Sequence, residues 1–354
     1  MMKKPYTITG LDIGSSKVAG VTARSDKDGT FEVIAQASVP SKGVVRGMLV
    51  DLNAAVGSVS KVFDKLGEKT SKNTGEIYVN ISGEDVKGSR STGMIPLALR
   101  GREVVKTDID RCINVASTIH LPFDREIIHR IVQDFSIDDQ PWIKKPLGLY
   151  ASRLACEVFV ITANINHIQS ISKCVNDAGR DVKGIVFTGM ADGSSLLEKE
   201  QMDAGVVLAD MGSSITELSI FSGGSLAALD ILPIGSQDLS GDFRENVAFR
   251  SLYTSIDSRI KEFSRAHGKV ASIVLAGGLA FTDGIIEFLE EKLAYPIKMG
   301  IPKDVRGDVS SLDSVRLSTA IGLARYACDK KAAEDTGIAK RLSEKVVDLF
   351  NNYF

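Results

Sequence analysis

Two short stretches decide the fold of this chain: "LDIGSSK" at residues 11–17 and, 198 residues later, "ADMGSSI" at residues 209–215. Each stretch joins two runs of β-forming residues, so each is predicted to contain the tip of a β-hairpin. A third strand follows each hairpin, with "FEVIAQASV" after the first copy and "SLAALDILPI" after the second. A repeat that extends over three strands predicts an α/β fold with two duplicated halves, each supplying one loop.

The residue types at these tips suit the binding of a triphosphate. Gly14 and Gly212 lack a Cβ, which allows backbone N–H groups to close on phosphate oxygens, and the serine hydroxyls add donors. Asp12 and Asp210 are predicted to face each other across a cleft and to hold Mg²⁺ through its water ligands. The predicted loop ligands are Asp12, Gly14, Ser15, Ser16, Lys17, Asp210, Gly212, Ser213, Ser214 and Thr216.

A third glycine-rich element follows the second loop. The run "ASIVLAGGLAFTDGIIEFLEEKL" predicts a strand, a glycine pair at Gly277 and Gly278, and a helix with Asp283 as its N-cap. The glycine pair is predicted to let the backbone lie flat against an adenosine. The chain contains no G-x-x-x-x-G-K-[ST], G-x-G-x-x-G or G-x-S-x-G motif, and no residue is recognised as catalytic.

The bulk composition is that of a globular protein. The 354 residues are 44% hydrophobic and 25% charged with a net charge of −2, so nucleic acid is not an expected partner. We expect neither a secretory signal nor a membrane-spanning segment, because no long apolar run occurs. Four scattered cysteines are expected to be reduced thiols of a cytoplasmic protein, and their spacing does not favour a metal site.

Two hairpin loops and a strand–Gly–Gly–helix element resemble the ATPase superfamily of actin, Hsp70 and the sugar kinases. Within it, the chain resembles FtsA, the bacterial actin-like cell-division family, in stretches outside the loops. These are "SKGVVRGMLVDLNAAV" (41–56), "IYVNISGEDVKG" (77–88), "LPFDREIIHRIVQDFSIDDQ" (121–140), "KPLGLYASRLACEVFVIT" (145–162) and "KCVNDAGRDVKGIVF" (173–187).

This resemblance implies an actin-like/Hsp70-like fold that binds ATP and Mg²⁺ in a cleft. It implies subdomain 1A at 5–75 and 163–203, an inserted SHS2-type α/β subdomain, 1C, at 76–162, and subdomain 2A at 204–329. In the family, subdomain 1C helps subunits associate. Within 76–162 we expect a helix from Thr107 with Ile109, Ile113 and Ala116 on one face, and strands at "REIIHRIVQDFSI" and "LACEVFVIT". The implied function is a self-associating scaffold that tethers the FtsZ ring to the inner face of the cytoplasmic membrane at the septum.

The chain departs from the family in two respects. Ser213, Ser214 and Leu279 stand where relatives usually have glycine, and a Cβ there restricts backbone approach to a ligand. Between Gly235 and Lys269 only about one long helix fits, so subdomain 2B is expected to be reduced to 236–269. The apolar stripe of that helix is Leu252, Ile256, Ile260 and Phe263. Because 2B supplies part of the adenine pocket and the FtsZ docking surface in the family, we expect weakened nucleotide binding and little or no FtsZ binding.

The carboxyl-terminal residues predict a membrane anchor. A core helix, "SVRLSTAIGLARYACD", and a linker at 330–337 precede residues 338–354. These residues are predicted to form an amphipathic helix of about 25 Å at 1.5 Å per residue. Since half of its surface is polar, it is expected to lie in the membrane interface; the alternative is docking on the protein's own core. The positions expected to enter the membrane are Ile338, Leu342, Val346, Leu349, Phe350, Tyr353 and Phe354.

Two other functions share this fold. A small-molecule kinase needs an acidic base near the γ-phosphate and a sugar pocket, and no candidate for either stands out. A pilus-assembly scaffold similar to PilM is disfavoured by the stretches at 41–56 and 121–140 and by the terminal helix.

Overall fold

The computed structural model describes residues 6–25 and 30–335. The predicted amphipathic helix at 338–354 lies outside these residues. The strands are β1 (Tyr6–Ile13), β2 (Lys17–Ser25), β3 (Phe31–Pro40), β4 (Val44–Val45), β5 (Met48–Leu49), β6 (Glu76–Ile81), β7 (Lys87–Pro96), β8 (Arg102–Glu103), β9 (Arg125–Ile137), β10 (Gln140–Ile143), β11 (Tyr150–Ala151), β12 (Arg153–Asn164), β13 (Val182–Phe187), β14 (Val206–Met211), β15 (Thr216–Ser222), β16 (Ser225–Leu232), β17 (Ser272–Ala276), β18 (Ile297–Met299) and β19 (Arg306–Gly307).

The helices connect these strands. They are α1 (Leu52–Thr70), α2 (Lys106–Ser117), α3 (Ile165–Asp177), α4 (Thr188–Leu196), α5 (Lys199–Ala204), α6 (Val247–His267), α7 (Ile285–Leu293), α8 (Ser311–Arg316) and α9 (Ser318–Asp335). Short 3-10 helices occur at Ser236–Asp238 and Gly278–Phe281. None of the helices among the described residues is both long and apolar enough to cross a bilayer.

Two sheets repeat the same arrangement. The first has the order β13-β6-β1-β2-β3-β19, and the second, read in the corresponding direction, has the order β18-β17-β14-β15-β16. In the first sheet β1 pairs antiparallel with β2 and parallel with β6. In the second sheet β14 pairs antiparallel with β15 and parallel with β17. The predicted duplication is therefore confirmed.

Helices cover both faces of the first sheet. On α1, Val59, Val62, Phe63 and Leu66 recur at helical spacing and are buried in the core that contains Leu11 of β1. The helix begins where the Asp51 carboxylate accepts a hydrogen bond of 3.0 Å from the backbone N–H of Ala54. The other face is covered by α9, whose buried alanine, leucine and isoleucine side chains pack in the same cluster as Ile8 and Val21.

The second half carries one long helix between its third and fourth strands. The predicted single helix is α6, and its predicted stripe is buried in the core of this half, with Phe249 added at its amino end. Phe243, Phe249 and Phe288 pack with ring centroids 5.2–5.9 Å apart, which closes this end of the core.

A separate α/β unit is inserted between β6 and α3, and we call it the insert. Its sheet has the antiparallel order β10-β9-β12-β7, and α2 covers one face. The two predicted strands are confirmed as β9 and β12, but α2 begins at Lys106 instead of Thr107. The reason is that the Asp108 carboxylate accepts a hydrogen bond from the N–H of Val105. Its most buried positions are Cys112 and Ala116, whereas Ile109 and Ile113 are only partly buried.

The prediction of Asp283 as an N-cap is wrong. The chain first forms the 3-10 helix at Gly278–Phe281, and α7 then begins after Gly284, whose φ is 76°. Glycine adopts this left-handed conformation without the strain of a Cβ, so it sets the start of the helix.

The predicted core helix and linker also differ from the structure. The core helix is divided at Leu317 into α8 and α9, and α9 continues to Asp335 through most of the predicted linker at 330–337. Residues 330–335 contain good helix formers and no glycine or proline. Lys331 also fixes this end of α9, because its Nζ lies 2.7 Å from the Glu76 carboxylate and 5.2 Å from the centre of the Tyr6 ring.

Candidate functional site: a cleft between two matched loops

The tips of the two predicted hairpins have the same geometry. The N–H of Gly14 donates to the carbonyl of Lys17 over 3.0 Å, and the N–H of Gly212 donates to the carbonyl of Ile215 over 3.0 Å. Both tips line one cleft of about 780 Å³ between the halves. The duplicated sequence therefore produces two equivalent loops that face the same space.

Nearly all of the predicted ligands lie in this cleft. The residues lining it include Asp12, Gly14, Ser15, Ser16, Lys17, Asp210, Gly212, Ser213, Ser214, Gly277 and Gly278. Two contacts fix the first loop. The hydroxyl of Ser15 accepts a hydrogen bond of 3.1 Å from the N–H of Gly47, and the Nζ of Lys17 donates to the carbonyl of Arg316.

Thr216 is the exception, and its assignment to the site is wrong. Its side chain is fully buried, and its hydroxyl donates to the carbonyl of Ile234 over 2.8 Å. Because side chains alternate along a strand, the next residue, Glu217, faces the cleft instead.

Asp12 and Asp210 both line the cleft, and the charge of Asp12 acts on Asp210. Burial raises the pKa of Asp12, while the charge of Lys17 and a hydrogen bond from Asn80 act in the opposite direction. Burial, together with the negative charge of Asp12, raises the pKa of Asp210 to about 6. A cation between these carboxylates would relieve both effects.

Asn80 holds the first of these aspartates in place, and sequence reasoning missed it. It is the last residue but one of β6, next to β1, and it is 4% exposed. Its Nδ2 donates to the Oδ1 of Asp12 over 3.0 Å, and its Oδ1 accepts from the N–H of Ile13 over 2.8 Å. The stretch at 77–88 was noted only for its family resemblance, although a single asparagine within a run of apolar β-forming residues was a usable signal.

Two further buried carboxyl groups were also missed. Burial and the charge of Asp210 raise the pKa of both Glu217 and Asp192 well above the ordinary range. Glu217 is 3% exposed and lines the cleft, whereas Asp192 lies in α4 and is fully buried. The signal for Glu217 was its position one residue beyond Thr216 in a strand, but no local sequence pattern indicated that Asp192 lies near the two aspartates.

The glycine pair forms the wall of the cleft on the second half. Gly277 has a φ of 81°, and a Cβ there would lie 2.4 Å from the Oδ1 of Asp210. A Cβ on Gly278 would meet no atom within 4 Å. Leu279, expected to hinder a ligand, is 4% exposed and packs in the core, so its side chain does not obstruct the cleft. Phe281 instead lines the cleft with its side chain 37% exposed.

The polar atoms of the cleft fit a phosphate group and a hydrated cation. Within residues 6–25 and 30–335, no three His, Cys, Asp or Glu side chains converge to hold a metal ion directly. Asp12 and Asp210 therefore remain as an outer pair that would contact Mg²⁺ through its waters. The hydroxyl of Ser214 and the Oε1 of Glu217 are buried without a hydrogen-bond partner in the described part of the chain. Such atoms are costly unless a ligand or water satisfies them.

Comparison with known proteins identifies the insert first. The family model described as "SHS2 domain inserted in FTSA" matches residues 83–162. The predicted SHS2-type subdomain at 76–162 contains this range.

The relatives that match nearly the whole chain are FtsA cell division proteins. The cell division protein FtsA of Pseudomonas aeruginosa is 26% identical, with 92% of this chain and 90% of that protein covered. FtsA of Borreliella burgdorferi is 28% identical, with 96% and 94% covered, and FtsA of Escherichia coli is 23% identical, also with 96% and 94% covered. The Escherichia coli alignment extends over 398 positions, more than the 354 residues of this chain, so the relative contains residues without a counterpart here.

Solved structures show the fold. A chain of the PilM–PilN type IV pilus biogenesis complex superposes with a TM-score of 0.64 at 16% identity, covering 90% of this chain and 97% of that one. The ethanolamine utilization protein EutJ from Carboxydothermus hydrogenoformans superposes with a TM-score of 0.50 at 12% identity, covering 92% and 91%. At these identities the likeness concerns the fold alone. With the actin-like halves, the inserted SHS2 domain and these relatives, the chain is similar over nearly its whole length to the FtsA family of actin-like cell-division proteins.

Proposed function

We propose that this protein is an ATP-binding scaffold of cell division that self-associates on the inner face of the cytoplasmic membrane. The observation that carries the proposal is the pair of matched loops around Gly14 and Gly212 that face one cleft. A superposable loop on each side is suited to enclosing a chain of phosphates, because each offers backbone donors and a carboxylate.

In this proposal ATP lies with its phosphates between the two loops. Asp12 and Asp210 contact Mg²⁺ through its waters, and the ion supplies charge neutralisation for the phosphates. The adenosine lies on Gly277 and Gly278, where the backbone is open, with the ring of Phe281 beside it. Base stacking on such a ring contributes about 1–3 kcal/mol in other nucleotide sites.

We propose slow or no hydrolysis. Glu217 is a carboxyl group that lines the cleft and is the one we consider as a base for water. Burial raises its pKa well above the ordinary value, so it spends more time protonated and is then unable to act as a base.

The insert is the proposed contact between copies. Large apolar side chains on its surface are well exposed, including Leu99, Phe123, Trp142, Leu147 and Tyr150 at 61–103%. Exposed apolar groups gathered on one subdomain favour a protein contact. We propose that this contact allows copies to form filaments.

Membrane attachment and the FtsZ contact complete the proposal. The amphipathic sequence at 338–354 is the proposed anchor, which places the protein at the membrane surface and the division septum. Contact with FtsZ is proposed to be weak, because α6 is the only α-helix between Gly235 and Lys269.

Pelleting with liposomes tests this function. The full chain is centrifuged with anionic liposomes, with and without ATP and Mg²⁺, beside a chain ending at Asp335. We expect the full chain to pellet with lipid, and to pellet at lower protein concentration with ATP because self-association adds avidity. The truncated chain should stay in the supernatant. Equal pelleting with and without ATP would contradict nucleotide-dependent assembly.

A further inference from the structure

We infer that the insert bridges the two halves of the molecule and couples its own position to the opening of the cleft, with Arg90 and Gln133 as positioning residues. The insert contacts an outer strand of each sheet, β13 of the first and β16 of the second. The joint with the first half includes both chain connections of the insert, whereas the contact with β16 is made without a chain connection.

The joint with the first half is held from several directions. The Asp85 carboxylate lies 2.9 Å from the Nδ1 of His167 and accepts from the N–H of Asn164 over 3.0 Å. Arg125 donates to the carbonyls of Asp85 over 2.7 Å and of Thr162 over 2.9 Å, so it fastens the two chain connections of the insert together. On the outer strand β13, the N–H of Phe187 donates to the Nε2 of His129 over 2.9 Å. The insert is therefore expected to move with the first half.

The contact with the second half is made by side chains that donate to backbone carbonyls. The guanidinium of Arg90, paired with Glu157, donates to the carbonyl of Ala227 over 2.9 Å. Gln133, 8% exposed, donates to the carbonyl of Leu226 over 3.0 Å. Lys144 reaches the carbonyl of Gly223 over 3.4 Å. No covalent connection joins the insert directly to β16, so β16 is able to shift relative to the insert.

The surfaces at this contact are closely packed. A Cβ on Gly88 of β7 would lie 2.2 Å from the ring of Phe159 and 3.1 Å from the Cγ of Leu229 on β16. Phe159 and Leu226 belong to one continuous apolar cluster. A close-packed contact of this kind favours discrete arrangements over gradual deformation.

The path to the cleft is short along the chain. Asn80 and Ser82 line the cleft, and Asp85 of the joint with the first half follows three residues after Ser82. Any rotation of the halves about the cleft changes the position of β16 relative to an insert that stays with the first half. By linkage, a ligand that changes the cleft then changes this contact, and loss of the contact changes the affinity of the ligand by the same factor.

Hydrogen exchange on the full chain tests the bridge without a ligand. The variant R90A/Q133A is compared with wild type and with R153A, which removes an exposed ion pair with Asp139 inside the insert. We expect at least about fivefold faster exchange at the two loop tips and in α5, which joins the halves, since loss of the bridge lowers the free energy of their opening. The R153A control should match wild type. R90A alone, at a half-buried position, serves if the double variant is unfolded. Acceleration confined to β16, β7 and β9 overturns the inference.

A calorimetric titration with ATP and Mg²⁺ forms the second arm, and only this arm rests on the proposed function. We expect the dissociation constant of R90A/Q133A to differ at least about fivefold from wild type, although neither residue lines the cleft. An unchanged constant overturns the coupling. If wild type binds no ATP, the proposed function fails, and the exchange result still decides whether the bridge exists.

Discussion

At the scale of single residues, Asn80 organises the first loop. One side chain accepts from the backbone of β1 and donates to the carboxylate that faces the cleft. These two hydrogen bonds hold both the backbone of the loop and the carboxylate of Asp12 in place. They explain why a polar side chain is buried near the end of β6.

We expect N80A to lose about 1–3 kcal/mol of the free energy of unfolding, because it leaves the buried N–H of Ile13 without an acceptor. It should also weaken ATP binding, since Asp12 loses its donor. Chemical denaturation measures the first effect. The control is N73A, an exposed asparagine that accepts a hydrogen bond of 3.3 Å from Gly75, which should change stability by less than about 0.5 kcal/mol. Equal losses in the two variants would contradict this role.

His129 predicts a pH dependence of stability. Burial, with a smaller effect of the Lys330 charge, lowers its pKa from 6.5 to about 4. The unfolded chain therefore takes up this proton first, and stability falls as the pH falls from about 6.5 toward 4. Asp210, whose pKa is raised to about 6, acts in the opposite sense, losing stability as the pH rises through this window.

A variant of His129 isolates its contribution to the pH dependence from that of Asp210. Denaturation at pH 7 and pH 5 should show a smaller loss for H129Q than for wild type, whereas H120Q, at an exposed position, should behave as wild type. A wild-type slope in H129Q would show that His129 does not titrate between the folded and unfolded states.

At the scale of elements, the helices and strands that were predicted are those whose residues show a local pattern. The hairpins, the strands β9 and β12, and α6 follow from alternation, turn residues and helical spacing. The start of α7 was not predictable in this way, because it depends on Gly284 adopting a positive φ after a 3-10 helix. The extent of α9 was underestimated, because contacts of Lys331 with Glu76 and Tyr6 are distant in sequence.

The residues of the candidate site also fall into those that a local motif indicated and those that it did not. Loop residues and the glycine pair were found because the motif repeats. Asn80, Asp192 and Glu217 were missed, because their role comes from the parallel pairing of β6 with β1, from the burial of α4 and from the alternation of β15.

The single helix α6 in place of a larger subdomain leads to a prediction about partners. We expect peptides from the FtsZ tail to bind weakly or not at all, because the element expected to receive them is one helix. Fluorescence anisotropy with a labelled peptide measures this. A low-micromolar dissociation constant would contradict it and would point to the exposed side of α6 as the docking surface.

The terminal segment 338–354 is predicted to be the sole membrane anchor. F350E places a carboxylate inside the apolar arc, and loss of one buried aromatic costs about 2 kcal/mol, or some thirtyfold in partitioning. The variant should stay folded but fail to pellet with liposomes, whereas K340A, on the polar arc, should pellet almost as wild type. Pelleting of F350E like wild type, together with a much lower melting temperature, would instead assign this segment to the protein core.

At the scale of the whole molecule, two duplicated halves, a cleft and an insert form one system. The halves bring matched loops to the cleft, and the insert contacts an outer strand of each half. This arrangement would allow the surface of the insert to respond to a ligand in the cleft, as we propose.

Titration calorimetry with ATP and Mg²⁺ tests the central claim, that the two matched loops form one nucleotide site. Wild type should release heat with a one-to-one stoichiometry. Either D12A or D210A should abolish binding, since each removes one of the facing carboxylates, while D139A, at an exposed turn of the insert, should bind as wild type. No heat from wild type with ATP or ADP at millimolar concentration would contradict the claim, and so would unchanged binding in both D12A and D210A.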